Sequence, residues 1–368
     1  MAANDEKQVR VGRGAISNPV GRFNSTRVES VDDGWAQDDA EELPPLETTV
    51  QADSTRSIIT RNDSPDIFFD RSINPYRGCE HGCVYCFARP THAYFNLSSG
   101  LDFETKLFYK PDAARLLEIE LAKPSYSCRP IAIGTNTDPY QPIEREYRVM
   151  RGVLEVLARY KHPVTIVTKG ALIERDIDLL SSMAAQHLAS VAISVTTLQA
   201  SLKRTLEPRA ASPRARLRTI KCLSDAGIPV TVLVAPVIPL LTDSELEQIL
   251  EACAEAGVTG AGYVLLRLPH EVKQLFREWL EAHEPLKAKH VMSIINQMRG
   301  GRDYDSSFGQ RQRGMGIYAE LLAKRFATAC SRLGLNRGDR HALDITQFVR
   351  PNPLSTKRPE ADQQLNLF

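Results

Sequence analysis

The sequence lacks any hydrophobic run that approaches the roughly 20 residues needed for a membrane-spanning helix. It also lacks a dominant charge, since its formal net charge is +1 over 368 residues, so no overall field draws it to nucleic acid or anionic lipid. Its first residues are polar and contain no apolar signal-peptide core. These absences predict a cytoplasmic protein with no membrane partner. Thiols stay reduced in that compartment, so the seven cysteines are expected to be ligands or free thiols.

Both ends of the sequence show no sustained apolar period. Residues 1–55 are rich in Asp, Glu, Ser, Asn and Arg, and they are predicted to form a flexible N-terminal extension. Residues 350–368 are polar and proline-rich, which predicts a flexible tail. Between them, residues 60–300 are predicted to form the core and residues 301–349 a helical C-terminal extension.

Short β-rich runs alternate with segments whose apolar residues recur every three or four positions. The runs cover residues 67–73, 131–134, 164–168, 191–196, 230–235 and 263–268. This alternation predicts an α/β fold of right-handed βαβ units with a parallel sheet. About six units are present, which favours a partial (β/α)6 barrel over a closed eight-unit barrel. A doubly wound open sheet is the alternative.

Three of the cysteines lie within eight residues of one another. Cys79, Cys83 and Cys86 have the spacing C-x3-C-x2-C. Thiolates suit zinc or an iron–sulfur cluster, and a cluster is usually held by four of them. Three thiolates on a four-iron cluster would leave one iron open for a small-molecule ligand. The alternative is structural zinc with His81 or His92 as fourth ligand, although zinc sites usually use two cysteine pairs and this chain has no second pair.

The cysteine motif, with Tyr85 at its aromatic position, resembles the signature of the radical S-adenosylmethionine (SAM) superfamily. The resemblance covers residues 65–300, and it points to the branch that contains spore photoproduct lyase and its uncharacterised bacterial relatives. It is carried by SINPYRGCEHGCVYCFARPTHAY and by the later GTNTDPYQPIE. The resemblance implies a [4Fe–4S] cluster and SAM as cofactors, cleavage of SAM to a 5′-deoxyadenosyl radical, and a flavodoxin- or ferredoxin-type electron donor.

The resemblance also implies a set of SAM contacts, most of them at the carboxyl ends of strands. From the methionine end of SAM to its adenine, the matching residues are Thr137, Asp138, Lys169, Arg209, Ser194, Tyr85, Ala235 and Pro236. Lys169 and Arg209 are assigned to the methionine carboxylate, and Ser194 is assigned to the ribose. For Asp138 a turn role is the alternative, because Asp-Pro favours turns. For Lys169 the alternative is a solvated lysine at a strand end.

One position departs from the branch that the motif resembles. Spore photoproduct lyase has a cysteine at the end of the second strand that returns a hydrogen atom to the product radical, and the matching residue here is Thr135. An O–H bond is much stronger than an S–H bond, so threonine cannot replace that donor. Cys128 lies at the start of the same strand. The resemblance therefore does not extend to repair by that route.

Two segments carry candidate nucleic-acid signals. Residues 202–221 contain seven Lys or Arg and one acid, which predicts a phosphate-binding surface or simply an exposed helix face. The second segment, residues 299–316, is predicted to be a substrate-facing loop or a structural connector. Its cationic and aromatic residues are Arg299, Arg302, Tyr304, Phe308, Arg311 and Arg313.

The last five residues, Gln364–Phe368, resemble the short motif by which bacterial repair proteins bind the DNA sliding clamp. A flexible tail would tether the motif, and the alternative is a tail that folds back on its own domain. The first function hypothesis is a radical SAM enzyme acting on nucleic acid in DNA repair or base modification. The alternatives are a radical SAM enzyme acting on a protein or small molecule, and a non-catalytic iron–sulfur or zinc protein.

Overall fold

The computed structural model describes residues 9–23, 46–337 and 342–352. Two sheets are present among these residues. The strands are β1 (Thr49–Ala52), β2 (Ile59–Arg61), β3 (Arg71–Ile73), β4 (Tyr76–Arg77), β5 (Lys106–Tyr109), β6 (Ile131–Ile133), β7 (Val164–Thr168), β8 (Ala189–Ser194), β9 (Val230–Val237) and β10 (Gly260–Leu265). The smaller sheet has the order β1-β5-β4, and the larger has the order β10-β9-β8-β7-β6-β3-β2.

The larger sheet carries the parallel architecture that the sequence predicts. Strands β3, β6, β7, β8, β9 and β10 pair in parallel in chain order, and β2 adds antiparallel to β3 at one edge. A doubly wound sheet reverses its strand order at a switch point, and this sheet does not. The prediction of an α/β fold with about six βα units is therefore confirmed.

Helices follow the strands and bury their apolar faces on the sheet. They are α1 (Leu101–Thr105), α2 (Ala113–Ala122), α3 (Glu144–Tyr147), α4 (Val149–Arg159), α5 (Ile177–Ala184), α6 (Ala200–Leu206), α7 (Pro213–Asp225), α8 (Leu246–Glu255), α9 (Val272–His283), α10 (Ala288–Met298) and α11 (Gly316–Leu333). Helix α7 begins where the Ser212 side chain accepts from the Ala215 N–H at 3.2 Å, with Pro213 in the first turn. No helix among the described residues is both long and apolar enough to cross a bilayer.

The central strands are buried on both faces, as in a parallel sheet covered by helices. All residues of β6 and β8 are buried. In such folds the carboxyl ends of the strands meet at one end and carry the chemistry. The loops at those ends here cover residues 134–142, 168–170, 194–197 and 266–269.

Part of the predicted N-terminal extension is folded. Residues 13–17, which we call the N-terminal strap, are buried, and β1 pairs in parallel with β5. The backbone N–H groups of Gly14 and Ala15 donate to the Glu104 carboxylate at 3.0 and 2.8 Å. The prediction of flexibility was wrong for these two stretches. The strap is held by hydrogen bonds to the Glu104 carboxylate, and β1 is held by its pairing with β5. Polar contacts of this kind produce no apolar periodicity, so the sequence pattern did not show them.

The C-terminal extension packs onto the core. Helix α11 lies against α8, where Arg325 forms an ion pair with Glu247 at 2.6 Å. Residues 299–315, which we call the connector, lead into α11, and Arg311 of the connector pairs with Asp66 of the β2–β3 loop. The connector thereby joins the β10 edge of the larger sheet to its β2 edge. The described residues end at 352, so the clamp-like motif Gln364–Phe368 lies outside them.

Candidate active site

The cysteine loop, residues 78–86, follows β4 at the end of the sheet where the site is expected. Its backbone is held from several sides. The N–H of Cys79 donates to the Phe103 carbonyl at 2.9 Å, and the N–H of Cys86 donates to the Cys83 carbonyl at 3.2 Å. The Gln141 side chain, from the segment after β6, accepts from the N–H of Glu80 at 2.8 Å. The two motifs singled out from the sequence are therefore in direct contact.

A fully buried arginine organises the inner side of the cysteine loop. Arg89 donates through Nε to the carbonyl of Cys83 at 2.9 Å and through Nη1 to the carbonyl of Gly100 at 2.9 Å. It also forms an ion pair with Glu104, and neither side chain has any solvent exposure. Breaking such a buried pair is costly, so this pair fixes the loop strongly. The sequence interpretation missed both residues.

The N-terminal strap covers the outer side of the same loop. A Cβ atom built on Gly14 would lie 1.8 Å from the carbonyl oxygen of Gly82, so only glycine allows this close approach. Arg13 donates through Nη1 to the Glu104 carbonyl at 3.1 Å. Glu104 therefore joins the strap to the cysteine loop through Arg89.

The three cysteines of the loop are shielded from solvent, as the ligands of an iron–sulfur cluster would be. Cys79 and Cys83 are buried, and Cys86 is partly buried. Burial raises the pKa of all three thiols, to about 12 for Cys83, so the bare thiols are protonated at neutral pH. Coordination to iron deprotonates a thiol, and three thiolates on one pinned loop fit the ligation of an iron–sulfur cluster.

The two histidines considered as fourth zinc ligands have other neighbours. The Nε2 atom of His92 lies 2.9 Å from the Lys106 carbonyl, and its ring packs against Phe103. The Nδ1 atom of His81 lies 3.4 Å from a carboxylate oxygen of Asp138. In the described part of the chain, no three His, Cys, Asp or Glu side chains are grouped as a single metal ion would require. Neither histidine is therefore grouped with the three cysteines as a fourth ligand among the described residues, although the Nδ1 atoms of both are buried and have no hydrogen-bond partner there.

Beside the cysteine loop lies a buried ion network around Glu207. Its members are Tyr85, Lys169, Thr196, Glu207 and Arg216. The Glu207 carboxylate pairs with Lys169 at 3.1 Å and also pairs with Arg216, and it accepts from the hydroxyls of Thr196 at 2.7 Å and of Tyr85. Lys169 also donates to Thr196 at 3.2 Å and lies over the Tyr85 ring, 5.7 Å from its centroid.

Glu207 is the central residue that the sequence interpretation missed. Its burial opposes ionisation, yet Arg216 and Lys169 hold its pKa well below the usual range. A signal was available, because Glu207 is the single acid among seven cations in residues 202–221. An acid in such a setting is more easily explained as a buried partner of those cations than as part of an exposed face.

Thr137 and Asp138 lie beneath the cysteine loop and have structural partners. The Thr137 hydroxyl donates to the Tyr76 carbonyl at 2.9 Å. Asp138 accepts from the Thr168 hydroxyl at 2.6 Å and from the Lys169 N–H at 2.7 Å. Burial opposes ionisation, but His81 and these donors hold the pKa of Asp138 below its usual range. Asp138 also accepts from the N–H of Tyr140, two residues on, at 2.9 Å, which is the contact that the turn role requires.

The other predicted contacts fall into two places. Arg209 lies at the cysteine loop, where its guanidinium pairs with Glu80 at 2.7 Å. The carbonyl oxygens of Ser194 and Ala235 face the buried ion network: Ser194 accepts from Arg216 and Ala235 from Lys169, at 3.0 and 3.1 Å. Pro236 follows Ala235 through a cis peptide bond. Tyr85, Lys169 and Ala235 thus come together. Asp138 adjoins them through its hydrogen bond to the Lys169 N–H, whereas the Thr137 hydroxyl contacts the Tyr76 carbonyl instead.

Residues 202–221 are only in part an exposed basic surface. Arg216 is buried in the ion network, and Lys203 donates to the Pro208 carbonyl at 3.0 Å. Arg218 and Lys221 pair with Glu174 and Asp225. Arg204 and Arg214 are exposed. The segment therefore presents fewer cations to a ligand than its composition indicates.

Among the described residues, no cysteine outside the cysteine loop lies at the carboxyl ends of the parallel strands. Thr135 follows β6, whereas Cys128 precedes it, so the two lie at opposite ends of the strand. Cys222, Cys253 and Cys330 lie on helices α7, α8 and α11. The structure thus offers no thiol in the place of the hydrogen-returning cysteine.

The fold and the site define an α/β protein with a three-cysteine cluster loop at the carboxyl end of a parallel sheet. Residues 73–253 match the model of the radical SAM superfamily, so this part of the chain is a radical SAM domain and belongs to that superfamily. The family uses a [4Fe–4S] cluster and SAM, and these are the cofactors of the domain. The resemblance inferred from the cysteine motif is confirmed.

The chain is also similar to uncharacterised proteins and shares its fold with solved structures. An uncharacterised protein of Mycobacterium tuberculosis is 42% identical over 225 residues, which are 60% of this chain and 66% of that protein. An uncharacterised protein of Methanocaldococcus jannaschii is 28% identical over 173 residues, 47% of this chain and 62% of that protein. Spore photoproduct lyase complexed with dinucleoside spore photoproduct shares the fold, with a TM-score of 0.56 and 15% identity, covering 78% of this chain and 80% of that one.

Proposed function

We propose that this chain is a radical SAM enzyme that reductively cleaves SAM at its [4Fe–4S] cluster to make a 5′-deoxyadenosyl radical, and that it acts on nucleic acid. The observation that carries the proposal is the buried ion network directly beside the three-cysteine loop. Lys169 and Arg216 are gathered around the buried Glu207, and the lysine ammonium could bind the carboxylate of SAM. The three cysteines beside it would hold a cluster with one iron left open for SAM.

In this proposal the chain's own residues bind and orient the cofactors. Cys79, Cys83 and Cys86 hold the cluster, and Arg89 fixes their loop. Lys169 would bind the methionine carboxylate of SAM through its ammonium group, and its ion pair with Glu207 holds it in place. Tyr85 lies beneath Lys169 and closes the site toward adenine together with Ala235 and Pro236. Cys79, Cys83, Tyr85 and Arg89 are buried, which would keep water from the reacting centre.

Support for a nucleic-acid substrate comes from the fold and from the cationic residues near the site. A mutant of spore photoproduct lyase with bound AdoMet and dinucleoside spore photoproduct has the same fold, with a TM-score of 0.56. DNA repair or base modification is the reaction class we infer. Return of a hydrogen atom from a strand-end cysteine is not part of the proposal, because Thr135 occupies that position.

The test uses anaerobically reconstituted full-length protein, SAM and dithionite as the electron source. We expect 5′-deoxyadenosine to form and to form faster when single-stranded DNA or RNA is added. Formation without any stimulation by nucleic acid would favour a protein or small-molecule substrate. No 5′-deoxyadenosine from protein with a full cluster would point to the non-catalytic alternative.

Two partners remain predictions. An electron donor of the flavodoxin or ferredoxin type is expected, because radical SAM enzymes need a source of single electrons. The sliding clamp is expected to bind the tail through Gln364–Phe368. A peptide of about the last 15 residues should bind the clamp, and loss of Phe368 should abolish the binding.

A further inference from the structure

An exposed aromatic ring lies directly beside the cluster ligands and is not used by the proposed SAM contacts. Phe87 follows Cys86 in the chain, and 41% of its surface is exposed. The guanidinium carbon of Arg267 lies 4.6 Å from the centroid of its ring. Arg267 follows β10, the last parallel strand, so the residue after the cysteine loop and a residue after β10 meet at this stack.

The connector holds Arg267 in this position. Arg267 donates through Nη2 to the Tyr304 hydroxyl at 3.3 Å. Arg299, which is almost fully buried, donates to the carbonyls of Leu266 and Gln310 at 2.8 and 2.6 Å and so ties the connector to the residue before Arg267. The Nε atom of Arg267 is buried and has no hydrogen-bond partner among the described residues. Arg267 as a whole is partly exposed, and its guanidinium has further N–H donors for a ligand.

The surrounding connector repeats the pairing of cations with aromatic rings. Arg311 lies 4.8 Å from the centroid of Phe308, which is 58% exposed. Arg313 lies 4.2 Å from the centroid of Tyr263, a buried ring of β10, and so anchors the connector to the sheet. Aromatic rings flanked by arginines are the surface by which proteins hold single-stranded nucleic acid, because every base offers a face for stacking and every phosphate a charge.

We propose that Phe87 and Arg267 form a base-stacking platform at the mouth of the site, which receives an unpaired base of a single-stranded nucleic acid. This inference rests on the proposed function and names its substrate class. The ring of Phe87 stacks on the base, Arg267 donates to the base edge or adjacent phosphate, and the connector carries the neighbouring nucleotides. Because Phe87 follows Cys86 directly, the platform would bring the base next to the cysteine loop.

The test measures binding of a fluorescent single strand of about 12 nucleotides to anaerobically reconstituted holoprotein by anisotropy, with RNA and duplex DNA as parallel arms. Phe87→Ala should weaken binding by about tenfold or more, since stacking contributes about 1–3 kcal/mol per base, and Phe87→Trp should retain it. Arg267→Ala should weaken binding and lower the salt slope by about 0.7 if Arg267 meets a phosphate.

Phe68→Ala is the matched control. Phe68 is 82% exposed on the β2–β3 loop, where its ring meets Phe69 edge-on and no described arginine stacks on it, so its removal should leave the affinity unchanged. Three outcomes would each overturn the platform. In the first, Phe87→Ala binds as tightly as the parent. In the second, Phe87→Ala and Phe68→Ala lose the same affinity, and in the third, duplex DNA binds more tightly than single strands. Tighter binding of RNA than of DNA would support it and identify RNA as the strand.

Cluster content and uncoupled 5′-deoxyadenosine formation are recorded for every variant. If Phe87→Ala loses its cluster, Arg267→Ala and Arg267→Lys decide the question, because Arg267 is not adjacent to a cysteine. A protein that cleaves SAM but binds no single strand refutes the platform and leaves radical SAM chemistry standing. A protein that binds single strands through Phe87 but cleaves no SAM refutes the proposed function and leaves the platform standing.

Discussion

Replacing Glu207 by glutamine should destabilise the protein severely. Glu207 is fully buried and is the shared counterion of Arg216, whose side chain is 2% exposed, and of Lys169. Glutamine keeps the shape of the side chain but removes its charge. Both cations would then remain in the interior without their acid.

The magnitude follows from the burial of these charges. Removing one partner of a buried ion pair costs about 3–5 kcal/mol, because the other charge stays desolvated and uncompensated. The total free energy of unfolding of a domain is about 5–15 kcal/mol, so the loss is a large share of it. The pKa of Glu207 is lowered in the folded state, so its stabilisation is present above the pKa of an unfolded glutamate and is lost as the pH falls through the folded value. The full effect is therefore expected at pH 7.

Urea unfolding at pH 7, followed by circular dichroism under anaerobic conditions, measures the change. Glu155→Gln is the matched control, because Glu155 pairs with Arg151 on the helix surface and its side chain is 50% exposed. That change should cost less than about 1 kcal/mol. Adding Arg216→Met to Glu207→Gln should cost clearly less than the sum of the two single changes, since the uncompensated guanidinium is gone. A Glu207→Gln loss no larger than that of the control would refute the reasoning.

Three further predictions concern the strap, a buried histidine and SAM binding. Gly14→Ala should speed the loss of cluster absorbance in air, because its Cβ would displace the cysteine loop, whereas Gly152→Ala, whose Cβ meets its nearest neighbour at 3.5 Å, should not. Burial lowers the pKa of His162 to about 4, so the unfolded chain takes up the proton first and stability should fall by about 3 kcal/mol between pH 6.5 and 4. His162→Gln should flatten that pH dependence of the free energy of unfolding. Lys169→Met should raise the Kd of SAM by about tenfold or more in calorimetry, and Lys161→Met, at an exposed lysine, should not.

The fold could be predicted because its signals are local. Each parallel strand is a short apolar run, and each helix has its own period, so the number of βα units could be counted directly. The superfamily could be recognised because three cysteines within eight residues form a local pattern. Lys169 could be placed because residues that end parallel strands meet at one edge of the sheet.

The missing parts of the site depend on contacts between distant segments. Gly14 and Glu104 are separated by 90 residues, and their hydrogen bond leaves no periodicity in either segment. Glu207 lies in a segment whose many cations suggested an exposed surface, and only folding shows that Arg216 turns inward to meet it. Polar partners of this kind are specified by geometry, whereas the hydrophobic pattern records only which face of an element is buried.

The strap also enlarges the part of the chain that is needed to hold the cysteine loop in place. The matched domain begins at residue 73, yet Glu104 behind the cysteine loop takes donors from Gly14 and Ala15. A fragment cut at residue 73 would keep all three cysteines but would expose one flank of their loop to water. The structural unit that holds the cysteine loop is thus discontinuous in sequence, and it reaches some 60 residues upstream of the matched domain.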